Sequence, residues 1–286
     1  MSTALVLSGG GSLGAVQVGM LRALADAGVV PDCIVGTSVG ALNGAFLAGR
    51  AWPDGLDSLD ALWCSLRRSN VFPTSPARLA LAAAGRANHM VSDQGLRQLL
   101  ARHLPYELLQ DAVIPVVVVA TEIVTGREVV LRQGPAVDAV LASASLPGIL
   151  PPVVIDGHAL IDGGLVDNTP ISVAATLGVD SIIVVPTGYA CALPTVPRGA
   201  LAMVLHAVTL SIQRRLIDDV ERLQSSLDLR VVPPLCPVLV SPADFGHSRQ
   251  LIDRAHRQTA RWLERPRRED QAAELALHVH GPAPAL

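Results

Sequence analysis

A serine flanked by glycines is the first feature of the chain that suggests chemistry. Residues 36–40 read Gly-Thr-Ser-Val-Gly, and this G-x-S-x-G pattern is typical of a sharp turn between a strand and a helix that exposes the serine hydroxyl. Ser38 would also lie at a helix N-terminus, where developing negative charge is favoured. The alternative is a chance match in a chain with 24 glycines, with Ser38 as a helix cap. The pattern alone leaves both interpretations open.

A glycine-rich run precedes this serine. Residues 9–14 read Gly-Gly-Gly-Ser-Leu-Gly, and the N–H groups of such a run can converge on an anion. They would form either an oxyanion hole for acyl transfer or, since the run also fits G-x-G-x-x-G, the pyrophosphate site of a dinucleotide-binding domain. The second function needs an acidic residue at the far end of the second strand. Asp32 precedes that strand and Ser38 follows it, so the oxyanion hole is favoured.

A third motif, Asp162-Gly163-Gly164, follows an apolar segment directly. Glycines let the backbone approach another segment closely, so Asp162 could project from a strand end toward Ser38 as a base. An aspartate that caps its own turn is the common alternative. None of the eight histidines lies in a convincing loop after a core strand; His158 is the one nearest Asp162 in sequence.

Composition narrows the class of protein. The chain has 286 residues, half of them apolar, which fits one compact domain. A net charge of −3 gives no field that would attract a phosphate backbone, so a nucleic-acid partner is not expected. Its four cysteines, at positions 33, 64, 191 and 236, form no C-x-x-C pair. They predict neither a zinc site nor a redox motif, and a reducing cytoplasm fits them best.

Hydropathy raises the question of a membrane. The first residues carry no basic segment before their apolar stretch, which is unlike a secretory signal. The longest apolar stretches, residues 113–120 and 199–212, fall short of the roughly 20 residues that a spanning helix needs. We therefore expect a cytoplasmic protein that does not cross a membrane, while peripheral membrane contact stays open.

Alternating strand and helix signals surround the three motifs. Strands are predicted at residues 4–7, 33–35, 114–120, 128–131, 153–155, 159–161 and 181–185, and helices at 15–27, 39–48, 136–143, 199–227 and 248–263. Residues 57–104 give mixed helical signals. Together the signals predict a layered α/β fold with a mainly parallel sheet. Residues 71–90 and 199–212 would form an acyl-chain channel or lid, although core packing is the favoured interpretation for most of them.

The order and spacing of the three motifs resemble the patatin-like phospholipase family. Further segments resemble the family as well, at residues 15–24, 121–126 and 142–147. The resemblance implies a three-layer α/β/α fold with a mainly parallel central sheet. It covers roughly residues 4–175, the expected catalytic core; residues 176–265 would be a helical remainder of the same domain, and residues 266–286 a loosely held tail.

The same resemblance implies a serine–aspartate dyad without histidine. Ser38 would attack an ester carbonyl of a lipid or other ester, and Asp162 would take its proton, with no metal or organic cofactor. The oxyanion donors would be the N–H groups of Gly10 and Gly11, with Ser12 as a further donor. The remaining motif glycines are Gly9, Gly14, Gly36, Gly40, Gly163 and Gly164.

One position departs from the family pattern. The glycine loop of the family often carries Arg or Lys before its last glycine, whereas this chain has Leu13. That departure motivates an alternative function, a non-catalytic lipid-binding or regulatory protein; a dinucleotide-binding protein is the weaker third hypothesis. Neither the natural acyl donor nor the oligomeric state follows from the sequence.

Overall fold

The computed structural model describes residues 1–73, 75–188, 196–238 and 240–265, together with residues 272 and 275. Within them one mixed sheet has the strand order β5-β6-β3-β2-β1-β7-β8, and β4 pairs with β3. The strands are β1 (Thr3–Leu7), β2 (Cys33–Thr37), β3 (Val116–Glu122), β4 (Glu128–Leu131), β5 (Val153–Ile155), β6 (His158–Asp162), β7 (Ser181–Val185) and β8 (Asp228–Val231).

The helices are α1 (Gly14–Asp26), α2 (Val39–Ala48), α3 (Gly55–Ser65), α4 (Arg68–Val71), α5 (Pro76–Ala83), α6 (Gln94–His103), α7 (Ala136–Ser143), α8 (Ile171–Ala175), α9 (Ala200–Leu223) and α10 (Ser248–Leu263). They cover both faces of the sheet. The larger apolar core joins one face to α1, α2, α3, α7 and α10, and the smaller joins the other face to α8 and α9. The result is the expected three-layer α/β/α arrangement.

The centre of the sheet is parallel. Strands β3, β2, β1, β7 and β8 run in one direction, whereas β4 and β6 pair with β3 in the antiparallel sense and β5 pairs likewise with β6. Central parallel strands are covered by helices on both faces, which explains why they read as continuous apolar runs. Loops that follow the parallel strands therefore meet at one edge of the sheet, here called the carboxyl edge.

Most predicted elements are confirmed, with ends shifted by a few residues. Strand β8 was missed because it has four residues and directly follows a long helical pattern, which was predicted to run to residue 227 and ends at Leu223. The segment expected to be a helical remainder thus supplies two strands of the sheet, β7 and β8. Of the expected tail, only Ala272 and Leu275 are described, and both are buried against α9.

Two further expectations are corrected. Core packing was favoured for residues 199–212, yet Val204, Val208 and Leu210 in the first half of α9 are exposed. Cys236 is disulfide-bonded, a bond that the cysteine spacing did not predict. Because disulfides are rare in a reducing cytoplasm, the cysteines no longer favour a cytoplasmic location. None of the helices that the structure describes is long and apolar enough to cross a membrane.

Candidate active site

Ser38 lies on the tight turn between β2 and α2. Its backbone has φ 55° and ψ −123°, a conformation that a non-glycine residue adopts only when its surroundings enforce it. A Cβ on Gly40 would be 2.1 Å from the carbonyl oxygen of Leu7, and a Cβ on Gly36 would be 2.6 Å from the backbone of Gly40. The two glycines of the motif therefore allow β1, β2 and α2 to approach closely enough for this turn.

Strand β3 brings the aspartate to the serine. Val119 pairs with Thr37, the residue before Ser38, and the next residue of β3, Ala120, pairs with Asp162 at the end of β6. The Ser38 hydroxyl donates a hydrogen bond of 2.7 Å to Oδ2 of Asp162. Two residues separated by 124 positions in sequence are thus joined by a direct side-chain hydrogen bond.

The environment of Asp162 makes it a stronger base than an ordinary aspartate. Burial raises its pKa to about 6, although hydrogen bonds from the Ser38 hydroxyl and the Gly164 backbone favour the charged form and act in the opposite direction. The Gly164 N–H donates to Oδ1 at 2.7 Å and so fixes the carboxylate plane. Near neutral pH the group is ionised and can accept a proton.

Two backbone N–H groups of the glycine loop are free of an acceptor among the residues that the structure describes. The N–H of Gly9 donates to the carbonyl oxygen of Asn168 at 3.0 Å, and that of Ser12 donates to the carbonyl oxygen of Pro242 at 2.8 Å. Within the described part of the chain, the N–H groups of Gly10 and Gly11 have no acceptor. The donor expected from the backbone of Ser12 is therefore committed to the fold, whereas those of Gly10 and Gly11 remain available.

The loop glycines are also needed because side chains from distant segments pack directly against them. A Cβ on Gly9 would be 2.4 Å from Oδ1 of Asn168, and one on Gly10 would be 2.2 Å from Oγ1 of Thr187. Thr187 in turn donates to the carbonyl oxygen of Gly9 at 2.7 Å. The remaining motif glycines are equally tight: a Cβ would be 2.4 Å from Val39 at Gly14, 2.3 Å from Val119 at Gly163 and 2.8 Å from Asn168 at Gly164.

A buried amide network holds both ends of the glycine loop. The side chain of Gln17 donates to the carbonyl oxygen of Ser8 at 2.9 Å, and that of Asn43 donates to the carbonyl oxygen of Gly14 at 3.0 Å. Asn43 also donates to the Gln17 side chain and accepts from the Trp63 indole. All three side chains lie in the interior, so the loop rests on a rigid and hydrogen-bonded support.

Ser143 is a site residue that the sequence analysis did not single out. Its hydroxyl accepts the backbone N–H of Ser38 at 2.8 Å and donates to the carbonyl oxygen of Val119. The N–H of Ser38 is thereby withdrawn from any oxyanion hole. Residues 142–147 were noted only as a segment resembling the family, and a buried serine at a helix end carries no sequence signal of this contact.

The competing interpretations find little support in the geometry. The Asp32 carboxylate accepts the backbone N–H of Thr3 at the amino end of β1, away from the edge where a ribose would bind. His158 pairs with Glu122 at 2.7 Å and is largely exposed. Leu13, where the family often has a cation, is buried in the larger apolar core.

Comparison with known proteins gives one consistent result. Residues 5–175 match the patatin-like phospholipase family. The chain is 32% identical over 198 residues to patatin-like phospholipase domain-containing protein 7 of Mus musculus, and 34% identical over 179 residues to an uncharacterized NTE family protein of Mycobacterium bovis. These alignments cover 65% and 60% of this chain, but only 13% of the mouse protein and 28% of the mycobacterial one.

Solved structures with detectable similarity include VipD from Legionella pneumophila and the type III effector protein ExoU. VipD is 16% identical with a TM-score of 0.49, over 92% of this chain and 66% of VipD. ExoU is 17% identical with a TM-score of 0.37, over 92% of this chain and 53% of ExoU. Because its family match spans more than half of its length, the chain belongs to the patatin-like phospholipase family.

Proposed function

We propose that the protein is a lipid acyl hydrolase that cleaves carboxylic esters with Ser38 as the nucleophile and Asp162 as the base. The observation that carries this proposal is the 2.7 Å hydrogen bond from the Ser38 hydroxyl to Asp162. A serine is a weak nucleophile unless a neighbouring group accepts its proton. Here the acceptor is a buried carboxylate whose pKa is raised to about 6, and membership of the family supports a lipid ester as the substrate.

The reaction follows from the positions of these groups. Ser38 Oγ attacks the ester carbonyl carbon while its proton passes to Asp162 Oδ2, and the N–H groups of Gly10 and Gly11 bind the oxyanion that forms. Collapse of this intermediate breaks the ester bond, and Asp162 returns the proton to the departing alcohol. A water molecule then attacks the acyl-enzyme with Asp162 again as the base. The bond between Ser38 Oγ and the acyl carbon breaks, Asp162 returns the proton to Ser38 Oγ, and the free acid leaves.

Two features of the scaffold support this mechanism. The strained turn at Ser38 holds the hydroxyl toward Asp162 rather than into the helix that follows. The donors of Gly10 and Gly11 are oriented before substrate arrives, because the amide network fixes both loop ends. Removing one preorganised oxyanion donor typically costs about 10²- to 10³-fold in rate, so these two N–H groups are a substantial part of the proposed catalysis.

The test is hydrolysis of nitrophenyl butyrate and nitrophenyl palmitate by wild type, Ser38→Ala and Asp162→Asn. Asp156→Asn is the matched control, because Asp156 also precedes a glycine but lies in the β5–β6 turn. We expect turnover to fall at least about 10³-fold in both dyad variants and to be unchanged in the control, with circular dichroism confirming the fold. Unchanged turnover in Ser38→Ala contradicts the proposal, and an inactive wild type favours a lipid-binding or regulatory protein.

A further inference from the structure

Four arginines lie in a row along α10 and the turn that ends it. Arg254, Arg257, Arg261 and Arg265 are spaced by three, four and four residues, so they share one face of the helix over roughly 16 Å. All four line a cavity of about 420 Å³ between α10 and the segment that follows β8. Among the residues that the structure describes, no acidic side chain belongs to that lining. These four residues are called the arginine row below.

The segment that follows β8 is fixed to the helix by hydrogen bonds. The side-chain amide of Gln258 donates to the carbonyl oxygens of Pro233 and Pro234, both at 3.1 Å, and Arg254 donates to the carbonyl oxygen of Pro237 at 2.8 Å. Prolines restrict the backbone of this segment further. A guanidinium carries five N–H donors, so Arg254 keeps donors for a ligand. The cavity is therefore formed before any ligand binds.

A tryptophan brings a further arginine to the same region. Trp262 lines the cavity, and the guanidinium carbon of Arg230, on β8, lies 4.8 Å from the centroid of its ring. A guanidinium over an aromatic face is held there by a cation–π contact. Arg230 and the arginine row therefore form a group of five positive charges.

These positive charges are not paired. Within the part of the chain that the structure describes, none of the five arginines forms an ion pair, whereas Arg249 on the same helix contacts both carboxylate oxygens of Asp60. Arg257 and Arg261, like Arg261 and Arg265, are four residues apart, and like charges at this spacing destabilise a helix. A bound anion would remove that repulsion.

Carboxylates near the arginine row do not neutralise it. Those closest in sequence are Asp228, Asp253 and Glu264; all three are exposed, and none lines the cavity. The five arginines outnumber them. The next charged residues, at positions 267–270, are two arginines and two acidic residues, which cancel in formal charge and lie outside the described residues. The cavity is thus a concave site with an excess of positive charge.

We propose that the arginine row binds a small soluble anion that carries two or more phosphate groups. Guanidinium groups pair with phosphate through two parallel hydrogen bonds. One phosphate group reaches arginines of one or two neighbouring helical turns, whereas the row extends over roughly 16 Å, so several phosphate groups are needed to neutralise it. Exposed Asp253 and Glu264 on the same helix would be repelled by a flat anionic surface, which favours a small anion inside the cavity.

This site is separate from the candidate active site. Its lining shares no residue with the Ser38–Asp162 dyad or with the glycine loop. Anion binding there does not depend on the proposed hydrolysis, and the Ser38→Ala form should bind the anion as wild type does.

Isothermal titration calorimetry with sodium tripolyphosphate, in 0.15 M sodium chloride at pH 7.5, tests the site. The test pair is Arg257→Gln with Arg261→Gln, two exposed positions of the row. The matched control is Arg68→Gln with Arg102→Gln, which removes the same charge from exposed positions of α4 and α6. Circular dichroism checks the fold of each variant. If the test pair disturbs folding, Arg265→Gln, after the last residue of α10, replaces it.

We expect one tripolyphosphate to bind per chain, and orthophosphate to bind at least about tenfold more weakly because it carries one phosphate group. The test pair should weaken tripolyphosphate binding at least about tenfold, and the control pair should leave it unchanged. Three results overturn the inference: no binding of tripolyphosphate by wild type, equal weakening in both pairs, or equal affinity for orthophosphate and tripolyphosphate.

Two further measurements exclude other anion sites. Tripolyphosphate that binds the free N–H groups of Gly10 and Gly11 instead would inhibit hydrolysis of nitrophenyl butyrate and would bind the test pair as tightly as wild type, which overturns the inference. Co-sedimentation with phosphatidylserine vesicles in the absence of tripolyphosphate binding would assign the arginine row to an anionic membrane and also overturns it. An inactive wild type that still binds tripolyphosphate through the row contradicts only the proposed hydrolysis.

Discussion

The hydroxyl of Ser143 accepts the backbone N–H of Ser38 at 2.8 Å. Ser143 is fully buried at the end of α7, and its own proton goes to the carbonyl oxygen of Val119 in β3. One hydroxyl therefore ties the backbone of the strained turn to the strand that also pairs with Asp162. Through this contact, residues from three separate segments hold the serine and the aspartate in fixed positions relative to each other.

Replacing Ser143 by Ala should lower kcat without changing KM. The substitution leaves the buried N–H of Ser38 without its acceptor, which costs about 1–3 kcal/mol and loosens the turn, so kcat should fall roughly 10- to 100-fold. Ser145→Ala is the matched control, because the Ser145 hydroxyl is equally buried but only bonds the preceding helical turn at Leu141. Equal kinetic effects of the two variants would show that Ser143 does not position the nucleophile.

Activity should depend on pH through Asp162. Its pKa is raised to about 6, chiefly by burial, and only the ionised carboxylate can accept the Ser38 proton. We expect kcat/KM for a soluble ester to be level above pH 7 and to fall about tenfold per pH unit well below pH 6. A profile measured from pH 4.5 to 8.5 that stays level down to pH 5 would contradict the assignment of the base.

Asp162→Asn should make the protein more stable near neutral pH while removing its activity. The folded state holds the Asp162 proton more tightly than the unfolded state, so stability falls as the pH rises from 3.8 toward 6. A pKa raised from 3.8 to about 6 corresponds to about 3 kcal/mol of lost stability above pH 6. Urea unfolding should show a larger gain for the variant at pH 7.5 than at pH 4.5; an equal gain at both pH values would argue against this linkage.

Breaking the amide network beneath the glycine loop should lower the free energy of unfolding. Asn43→Leu removes the acceptor of the Trp63 indole and the donor to the Gly14 carbonyl in one substitution. Because each partner is buried, we expect the free energy of unfolding to fall by about 3 kcal/mol or more. The exposed Asn88 provides the comparison: Asn88→Ala removes only an exposed contact with the neighbouring His89 and should change the urea midpoint little. Similar midpoints for the two variants would mean that the network contributes little.

The positions of the candidate site residues were predictable where those residues lie next to a strand. Ser38, the glycine loop and Asp162 each follow an apolar segment, and the sheet brings those strand ends together. Sequence patterns identify such residues because strand periodicity and turn composition are local properties of the sequence.

Contacts between distant segments were not predictable in the same way. The loss of the Ser12 donor depends on Pro242, and the position of the Gly9 N–H depends on Asn168; neither partner carries a local signal. The first half of α9 was misjudged for another reason. A helix that is apolar nearly all round is usually buried, and only the structure shows that Val204 and Val208 border an open groove.

Labelling with a fluorophosphonate, followed by peptide mapping, tests the central claim most directly, because the reagent reacts only with an activated serine. The Ser38–Asp162 dyad predicts one label, on the peptide that contains Ser38, no label in Ser38→Ala, and labelling slowed at least about 100-fold in Asp162→Asn. A label on another serine, or labelling of Ser38→Ala at the wild-type rate, would contradict the account.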